Sequence, residues 1–272
     1  MKVKKKRGGI VRMMMGVGIG LAAMGMALAA GCLWFEKRGE WQSLVAVIIP
    51  HHLLALDLIE ESLEVVEGRE EVTTIVLISP DHFSQARRGS LVMTDEREET
   101  EDFFRKLKLG KKVLVQKKTA AINLEHGLRG VEPIVREYFP RAEIILLGVT
   151  NHLEKETELE LLGRQIGKLI GKGERVLIII SSDFAHYTTD ELAQENDKKS
   201  VLALEELAVG SIDYREKIDN DCQNCWVVLD GFLNQFKDCH FNLINNQNST
   251  NFGGEDRNVT SYVTGNFSCG GR

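Results

Sequence analysis

A three-layer α/β/α domain with a mainly parallel central sheet is the fold class that this sequence predicts. Short runs of β-branched and other apolar residues alternate with longer stretches that carry apolar residues at helical spacing. Strands that are apolar throughout are typical of parallel sheets covered on both faces. The chain has 272 residues, is 43% hydrophobic, and contains only 4 Pro and no repeat of fixed period. These features indicate a single globular body.

The strands are predicted from runs of apolar residues. Four such runs, and a β-branched run near the end, predict strands at 44–49, 72–79, 142–149, 175–180 and 259–267. A shorter run at 112–115 predicts a further strand. Helices are predicted at 53–67, 103–107, 128–139, 157–170, 190–209 and 225–236. Pro133 is tolerated in the first turn of a helix, and Gly171 and Gly173 are typical of a helix end.

The sequence predicts two regions: a membrane anchor or signal segment at residues 1–40 and the α/β domain at residues 41–272. Six basic residues precede residues 13–35, which carry no charge and are long enough to cross a bilayer as one transmembrane helix. The basic cluster predicts a cytoplasmic N-terminus and a body on the extracytoplasmic side of a bacterial cytoplasmic membrane. The sequence allows three outcomes for this segment: it is retained as an anchor, it is cleaved, or it is lipidated at Cys32. The third is considered because residues 28–32 resemble a lipobox.

The charge of the body argues against nucleic acid as a partner. Without residues 1–40 the chain carries 26 basic and 38 acidic residues, a net charge of -12. Such a body repels a phosphate backbone. The late cysteines leave open a bridge between Cys239 and Cys269, or one within Cys222-Gln-Asn-Cys225.

Five of the seven histidines lie just beyond the carboxyl end of a predicted strand: His51, His52, His82, His152 and His186. In open α/β sheets, ligands bind in the crevice beyond these strand ends, so we expect the side chains to meet there. Imidazole is a common ligand for iron, copper and zinc, and a thiolate or carboxylate adds negative charge. Asp183, three residues before His186, is placed to orient an imidazole or to act as a base.

Other chemistries lack their motifs. Ser181 and Ser182 are not in a Gly-x-Ser-x-Gly elbow, which argues against a hydrolase triad. Pro50-His51-His52 stands where a dinucleotide-binding protein has its glycine-rich loop. Cys222-x-x-Cys225 is not followed by the βαβ pattern of a thioredoxin-like protein.

The same segments resemble the MEMO family, the group also called AmmeMemoRadiSam system protein B. Ile49-Pro50-His51 resembles the start of its Pro-His-Ala-Gly-Tyr element, and Ser79-Pro80-Asp81-His82 resembles its Gly-Pro-Ser-His. The most specific match runs from Ser181 to Tyr187 and resembles Ser-Ser-Asp-x-x-His-Tyr.

Further segments extend the resemblance to about residues 44–267. Glu125-His126-Gly127, followed by Glu132 and Pro133, resembles the Glu-His-Ser…Pro stretch of the family. Asp221-Cys222 stands where the family has Cys-Gly-Arg, and residues 260–265 resemble its closing strand.

The resemblance implies a fold related to extradiol dioxygenases, with iron, copper or zinc as the metal. It implies His51, His82 and Cys222 as metal ligands, with Cys225 as an alternative to Cys222. It also implies Asp183, His186, Glu125 and His126 as catalytic residues. The sequence thus predicts an iron-dependent, dioxygenase-like oxidoreductase acting on an unknown small molecule. The alternative is a non-catalytic metal- or peptide-binding module on the same fold.

Overall fold

The computed structural model describes residues 43–66, 72–86, 90–110, 113–150, 156–170, 172–210 and 217–270. In this part of the chain one sheet holds eight strands: β1 (Ser43–Ile49), β2 (Thr74–Pro80), β3 (Val92–Thr94), β4 (Val115–Lys117), β5 (Glu143–Val149), β6 (Val176–Ser181), β7 (Lys237–Asn248) and β8 (Ser261–Gly270).

The described helices lie between these strands: α1 (Leu56–Glu64), α2 (Glu98–Leu107), α3 (Thr119–Ile122), α4 (His126–Arg129), α5 (Glu132–Tyr138), α6 (Glu156–Ile170), α7 (Asp190–Ala208) and α8 (Gln223–Leu233). Short 3-10 segments occupy Leu53–Ala55 and Ser249–Phe252. The helix predicted at 128–139 is two helices, α4 and α5, and the proline Pro133 lies in the first turn of α5.

The sheet is parallel at its centre, as the apolar runs predict, and has antiparallel pairs toward both edges. Its strand order is β4-β3-β5-β2-β6-β1-β8-β7. The four central strands, β5, β2, β6 and β1, run parallel to one another. On one side β3 pairs antiparallel with β5, and on the other β8 pairs antiparallel with both β1 and β7. Apolar runs identified the parallel centre, because those strands are buried on both faces.

Hydrophobic cores cover the two faces of the central strands. In β2, Val76 and Ile78 belong to the core that includes α6, α7 and α8, whereas Ile75 and Leu77 belong to the core that includes α1 and α5. Successive side chains therefore enter opposite cores, as the two-residue period of a strand requires. The result is a sheet with helices on both faces.

Helices α6 and α8 approach each other closely at glycines. A Cβ atom at Gly163 would overlap the carbonyl oxygen of Val228, and one at Gly231 would overlap that of Glu160. This contact fixes α8, and with it the loop that precedes α8 and enters the site described below.

The longest strand, β7, was not predicted from the sequence. It lies at the edge of the sheet and has mostly exposed or half-buried side chains, including several Asn residues. An edge strand of this kind has no apolar run to reveal it. A disulfide between Cys239 and Cys269 joins β7 to β8.

The predicted transmembrane helix needs correction. Within the residues that the structure describes, none of the helices has the length and apolar character required to cross a membrane. The transmembrane part of the predicted fold class and the membrane-anchored localisation are therefore not supported. Residues 13–35 and Cys32 lie outside the described residues.

Candidate metal centre

The site lies at the carboxyl ends of three neighbouring parallel strands. β2, β6 and β1 are adjacent in the sheet and run in the same direction. His82, Asp183 and His51 each lie two residues beyond the last residue of β2, β6 and β1, respectively. The sheet thus brings together side chains that are more than a hundred residues apart in sequence. This is the crevice in which open α/β sheets bind their ligands.

His51 is buried, and both of its ring nitrogens have polar neighbours. Its Nδ1 lies 3.3 Å from the carbonyl oxygen of Ser181, so Nδ1 is the nitrogen that carries the proton in the neutral ring. Its Nε2 lies 3.1 Å from Oδ2 of Asp221 and 3.5 Å from Oδ2 of Asp183. The backbone N–H of His51 donates to Oδ1 of Asp183 at 3.0 Å, which holds the start of the loop against β6.

The ring of His82 is held in place by the carboxylate of Glu125. Its Nδ1 lies 2.6 Å from Oε1 of Glu125, and its backbone N–H donates to Oε2 of the same residue at 3.0 Å. Its Nε2 lies 3.2 Å from Oδ2 of Asp221. With Nδ1 donating to Glu125, the lone pair of Nε2 is available to a ligand, as in carboxylate–histidine–metal arrangements.

His126 brings a third imidazole to the group. It is the first residue of α4, whose N-cap is Glu125. Its ring stacks on His82 with centroids 4.3 Å apart and meets His51 edge-on at 4.9 Å. Its side chain is 51% exposed, against 3% for His51 and 22% for His82. One ligand atom from each of the three rings lies within 4.8 Å of the others, so the group is able to hold a metal ion.

Charges around the rings set their protonation. Burial alone would lower the pKa of His82, but hydrogen bonds to Asp221 and Glu125 raise that pKa to about 9. For His51 the effect of burial is likewise outweighed by Asp183 and Asp221, so its pKa is raised. Burial and the neighbouring rings of His82 and His51 lower the pKa of His126.

The two carboxylates that contact the rings have lowered pKa values. Burial opposes ionisation of Asp221, yet hydrogen bonds from His51 and His82 outweigh it and hold the pKa of Asp221 well below its usual range. The pKa of Glu125 is also lowered, because contact with His82 outweighs the effect of burial. Both groups are therefore anions at neutral pH.

A cavity of about 670 Å³ opens beside the imidazoles. Its lining includes the three rings of the group, together with Asp183, His186, Leu53 and Tyr187. Leu53 and Tyr187 are exposed apolar surfaces at this cavity. A cavity that combines polar side chains with some apolar surface is typical of a small-molecule site.

The predicted site residues fall into three groups. The structure brings His51, His82, His126, Glu125 and Asp183 into direct or neighbouring contact. His186 lines the same cavity but is not a member of the three-histidine group. His52 contacts the hydroxyl of Tyr262 at 2.7 Å, and His152 lies outside the described residues.

Cys222 differs from its predicted role as a thiolate ligand. Its sulfur is bonded to that of Cys225, and both side chains are buried. A disulfide sulfur carries no thiolate charge, so in this state neither cysteine offers the ligand that the resemblance implied. Among the described residues, the group whose ligand atoms lie close enough together to hold a metal ion contains His126 beside His51 and His82.

Sequence reasoning missed Asp221 as a site residue. The resemblance matches the Asp221-Cys222 segment to a family cysteine, and so it implies the sulfur and not the carboxylate as the ligand. The spacing of Cys222-x-x-Cys225 could have indicated the role of Asp221, because two cysteines three residues apart are able to form a disulfide. If they do, the carboxylate of Asp221 is the remaining anionic group of this segment.

The fold and site define an α/β protein with a cluster of three histidines, able to hold a metal ion, at the carboxyl edge of its sheet. The family model described as Memo-like protein matches residues 32–266. The chain therefore belongs to the Memo-like family, which confirms the resemblance noted in the sequence.

Two individual proteins are similar to this chain over part of its length. A MEMO1 family protein of Aquifex aeolicus (strain VF5) is 33% identical over 104 residues. That match spans 38% of this chain and 38% of the relative. The crystal structure of an uncharacterized protein, JW3007, from Escherichia coli K12 is similar over 82% of this chain and 99% of that chain, with 10% identity and a TM-score of 0.46.

Proposed function

We propose that this protein is an iron-dependent oxidoreductase that holds Fe(II) at His51, His82 and His126 and oxidises a small aromatic compound in the adjoining cavity. One observation carries the proposal: the ligand atoms of the three imidazoles lie within 4.8 Å of one another at the mouth of that cavity. Family membership is consistent with it.

The donor set fits a borderline transition metal. Imidazole nitrogen suits iron, copper and zinc, whereas calcium and magnesium prefer oxygen ligands alone. The Nδ1 atoms of His51 and His82 are already engaged by Ser181 and Glu125, so their Nε2 atoms are oriented for a metal. Iron bound here with open positions would supply the means of binding and activating oxygen.

The remaining residues have roles that follow from their contacts. His126 has a lowered pKa and is half exposed, so at neutral pH its uncharged ring has a lone pair to offer to a metal at the cavity. Leu53 and Tyr187 offer apolar surface to an aromatic ring, and His186 offers a polar contact at the same wall.

Metal analysis of the full-length chain tests the metal site. We expect the wild-type protein to bind iron stoichiometrically under anaerobic conditions and the double variant His51→Ala/His82→Ala to lose nearly all of it. His240→Ala is the matched control, because His240 is exposed on the edge strand β7. Equal metal content in the double variant and the wild type would contradict the proposed site, and retention of zinc or copper in place of iron would contradict the choice of metal.

Oxygen consumption tests the reaction. We expect the iron-loaded protein to take up oxygen in the presence of a catechol, and the double variant to show none above background. Stoichiometric metal and catechol binding without oxygen uptake would instead identify a non-catalytic binding module.

A further inference from the structure

We propose that Asp221 is the anionic metal ligand of this centre, in place of a cysteine thiolate. The inference rests on the proposed function, since it concerns the metal held by the histidine cluster. It starts from one atom: Oδ2 of Asp221 lies 3.1 Å from Nε2 of His51 and 3.2 Å from Nε2 of His82.

These two distances match those between neighbouring ligands of one metal ion. Bonds from a transition metal to imidazole nitrogen or carboxylate oxygen are about 2.1 Å long. At the angles of octahedral or tetrahedral coordination, two such ligand atoms are then about 3.0–3.4 Å apart. The single oxygen of Asp221 lies at such a distance from both imidazole nitrogens. The oxygen of Asp221 is therefore spaced from each of the two nitrogens as neighbouring ligands of one metal ion are.

The orientation of the Asp221 carboxylate is fixed by its other contacts. Its Oδ1 accepts a hydrogen bond from the hydroxyl of Ser182 at 2.8 Å. Its backbone N–H donates to the carbonyl oxygen of Asp183 at 3.2 Å. The loop before α8 is thus tied to the end of β6, and Oδ2 is left to face the histidines.

The other residues that could supply an anionic metal ligand have different contacts. Glu125 contacts Nδ1 of His82, on the opposite side of the ring from Nε2. Asp183 lies 3.5 Å from Nε2 of His51, and its Oδ1 accepts from the backbone of that residue. The sulfur of Cys222 is bonded to Cys225.

The ligand set has a chemical consequence. Neutral imidazoles alone leave the charge of a divalent cation uncompensated, whereas a carboxylate beside two histidines is the set typical of non-haem Fe(II) oxygenases. Asp221 with His51 and His82 forms that set. His126, the most exposed of the three rings, lines the cavity beside this set.

Cobalt(II) added to the metal-free, full-length protein tests the assignment, because its absorption spectrum reports whether sulfur is bound. We expect wild type and the double variant Cys222→Ser/Cys225→Ser to bind cobalt alike, with no sulfur-to-cobalt charge-transfer band. Adding Asp221→Cys to that double variant should create the band, since a thiolate then stands at the ligand position. Asp221→Asn should weaken binding by at least about tenfold, and Asp219→Asn, an exposed neighbour, should not.

Two results would overturn the assignment while leaving the proposed function intact. One is a charge-transfer band in the wild type that the double cysteine variant lacks, and the other is a folded Asp221→Asn protein that binds cobalt as tightly as the wild type. The first comparison does not depend on the stability of any Asp221 variant. Failure of the wild type to bind cobalt or iron at all would instead refute the metal site itself.

Discussion

Oε1 of Glu125 lies 2.6 Å from Nδ1 of His82, and the same carboxylate accepts the backbone N–H groups of His82 and Gly127. Glu125 is therefore the residue that joins the loop after β2 to the start of α4. It fixes the orientation of the His82 ring and places His126, the next residue, beside it.

This arrangement predicts that Glu125→Gln weakens metal binding without abolishing it. The amide oxygen still accepts a hydrogen bond from Nδ1, but it lacks the charge that makes the imidazole a stronger ligand, so we expect a loss of about 10–100-fold in metal affinity. Competition with a chromophoric chelator measures the affinity. Glu137→Gln, an exposed change on α5, serves as the control. Equal affinities of the two variants would show that Glu125 does not tune His82.

Metal binding is predicted to release protons and to strengthen as pH rises. In the metal-free protein the pKa of His82 is raised to about 9, so its ring carries an extra proton at neutral pH, and the pKa of His51 is raised in the same direction. A metal ion must displace any extra proton that these rings carry. Affinity should therefore fall as pH falls below about 9, by up to roughly tenfold per pH unit for each proton displaced. Calorimetry at pH 7 in buffers of different ionisation enthalpy counts the protons, and a count of zero would contradict the prediction.

Gly127→Ala is predicted to disturb the site through packing. A Cβ at this position would overlap Oγ of Ser79 and lie 3.2 Å from Nδ1 of His51. We expect a loss of about 1–3 kcal/mol in the free energy of unfolding, together with weaker metal binding. Chemical denaturation and the same chelator competition measure the two effects.

Ser79→Ala provides a rescue for that variant. Oγ of Ser79 is buried and has no hydrogen-bond partner among the described residues, so its removal sacrifices no hydrogen bond. The double variant Gly127→Ala/Ser79→Ala should recover most of the lost stability, because the overlapping atom is gone. A double variant as unstable as Gly127→Ala would locate the clash elsewhere.

Asp197 on α7 is predicted to make stability depend on pH. Burial raises the pKa of this carboxyl to about 7, and Asp219 adds to the effect, although the hydroxyl of Ser261 donates a hydrogen bond to it at 2.6 Å. The folded state therefore holds this proton more tightly than the unfolded state, whose pKa is near 3.8. Stability from this group is full below pH 3.8 and is lost as pH rises through about 7.

Asp197→Asn should remove that loss. The quantity to compare is the free energy of unfolding of Asp197→Asn minus that of the wild type. We expect this difference to be more favourable to the variant at pH 7.5 than at pH 4.5, by roughly 2–4 kcal/mol. Urea denaturation of the metal-free proteins at both pH values measures it. Glu191→Gln, an exposed change on the same helix, should show no such gain. A constant difference between Asp197→Asn and the wild type would contradict the prediction.

Much of the fold followed from the sequence because burial leaves a clear pattern. The central strands carry continuous apolar runs, so β1, β2, β5 and β6 were located to within two residues. The exposed edge strand β7 has no such pattern, and the short strand β3 has only three residues. The direction of the edge strands also left no local signal, since it depends on how the chain returns to the sheet.

The candidate site was predicted in part for a similar reason. The positions of His51, His82 and Asp183 after apolar runs indicated that they lie at one edge of the sheet. The sequence left open a bridge within Cys222-Gln-Asn-Cys225, and only the structure decided that Cys222 is paired in this way. The contact of Asp221 with both imidazoles was not indicated, since it requires the loop before α8 to fold over the ends of β1 and β2.

The sequence by itself determined that this is a member of the Memo-like family whose histidines follow its strands, because motif and apolar pattern are local properties of the chain. Only the tertiary structure decided which side chains meet. His51 contacts Ser181 across 130 residues and His82 contacts Asp221 across 139. Contacts over such separations are set by strand order and helix packing, which no stretch of sequence encodes alone.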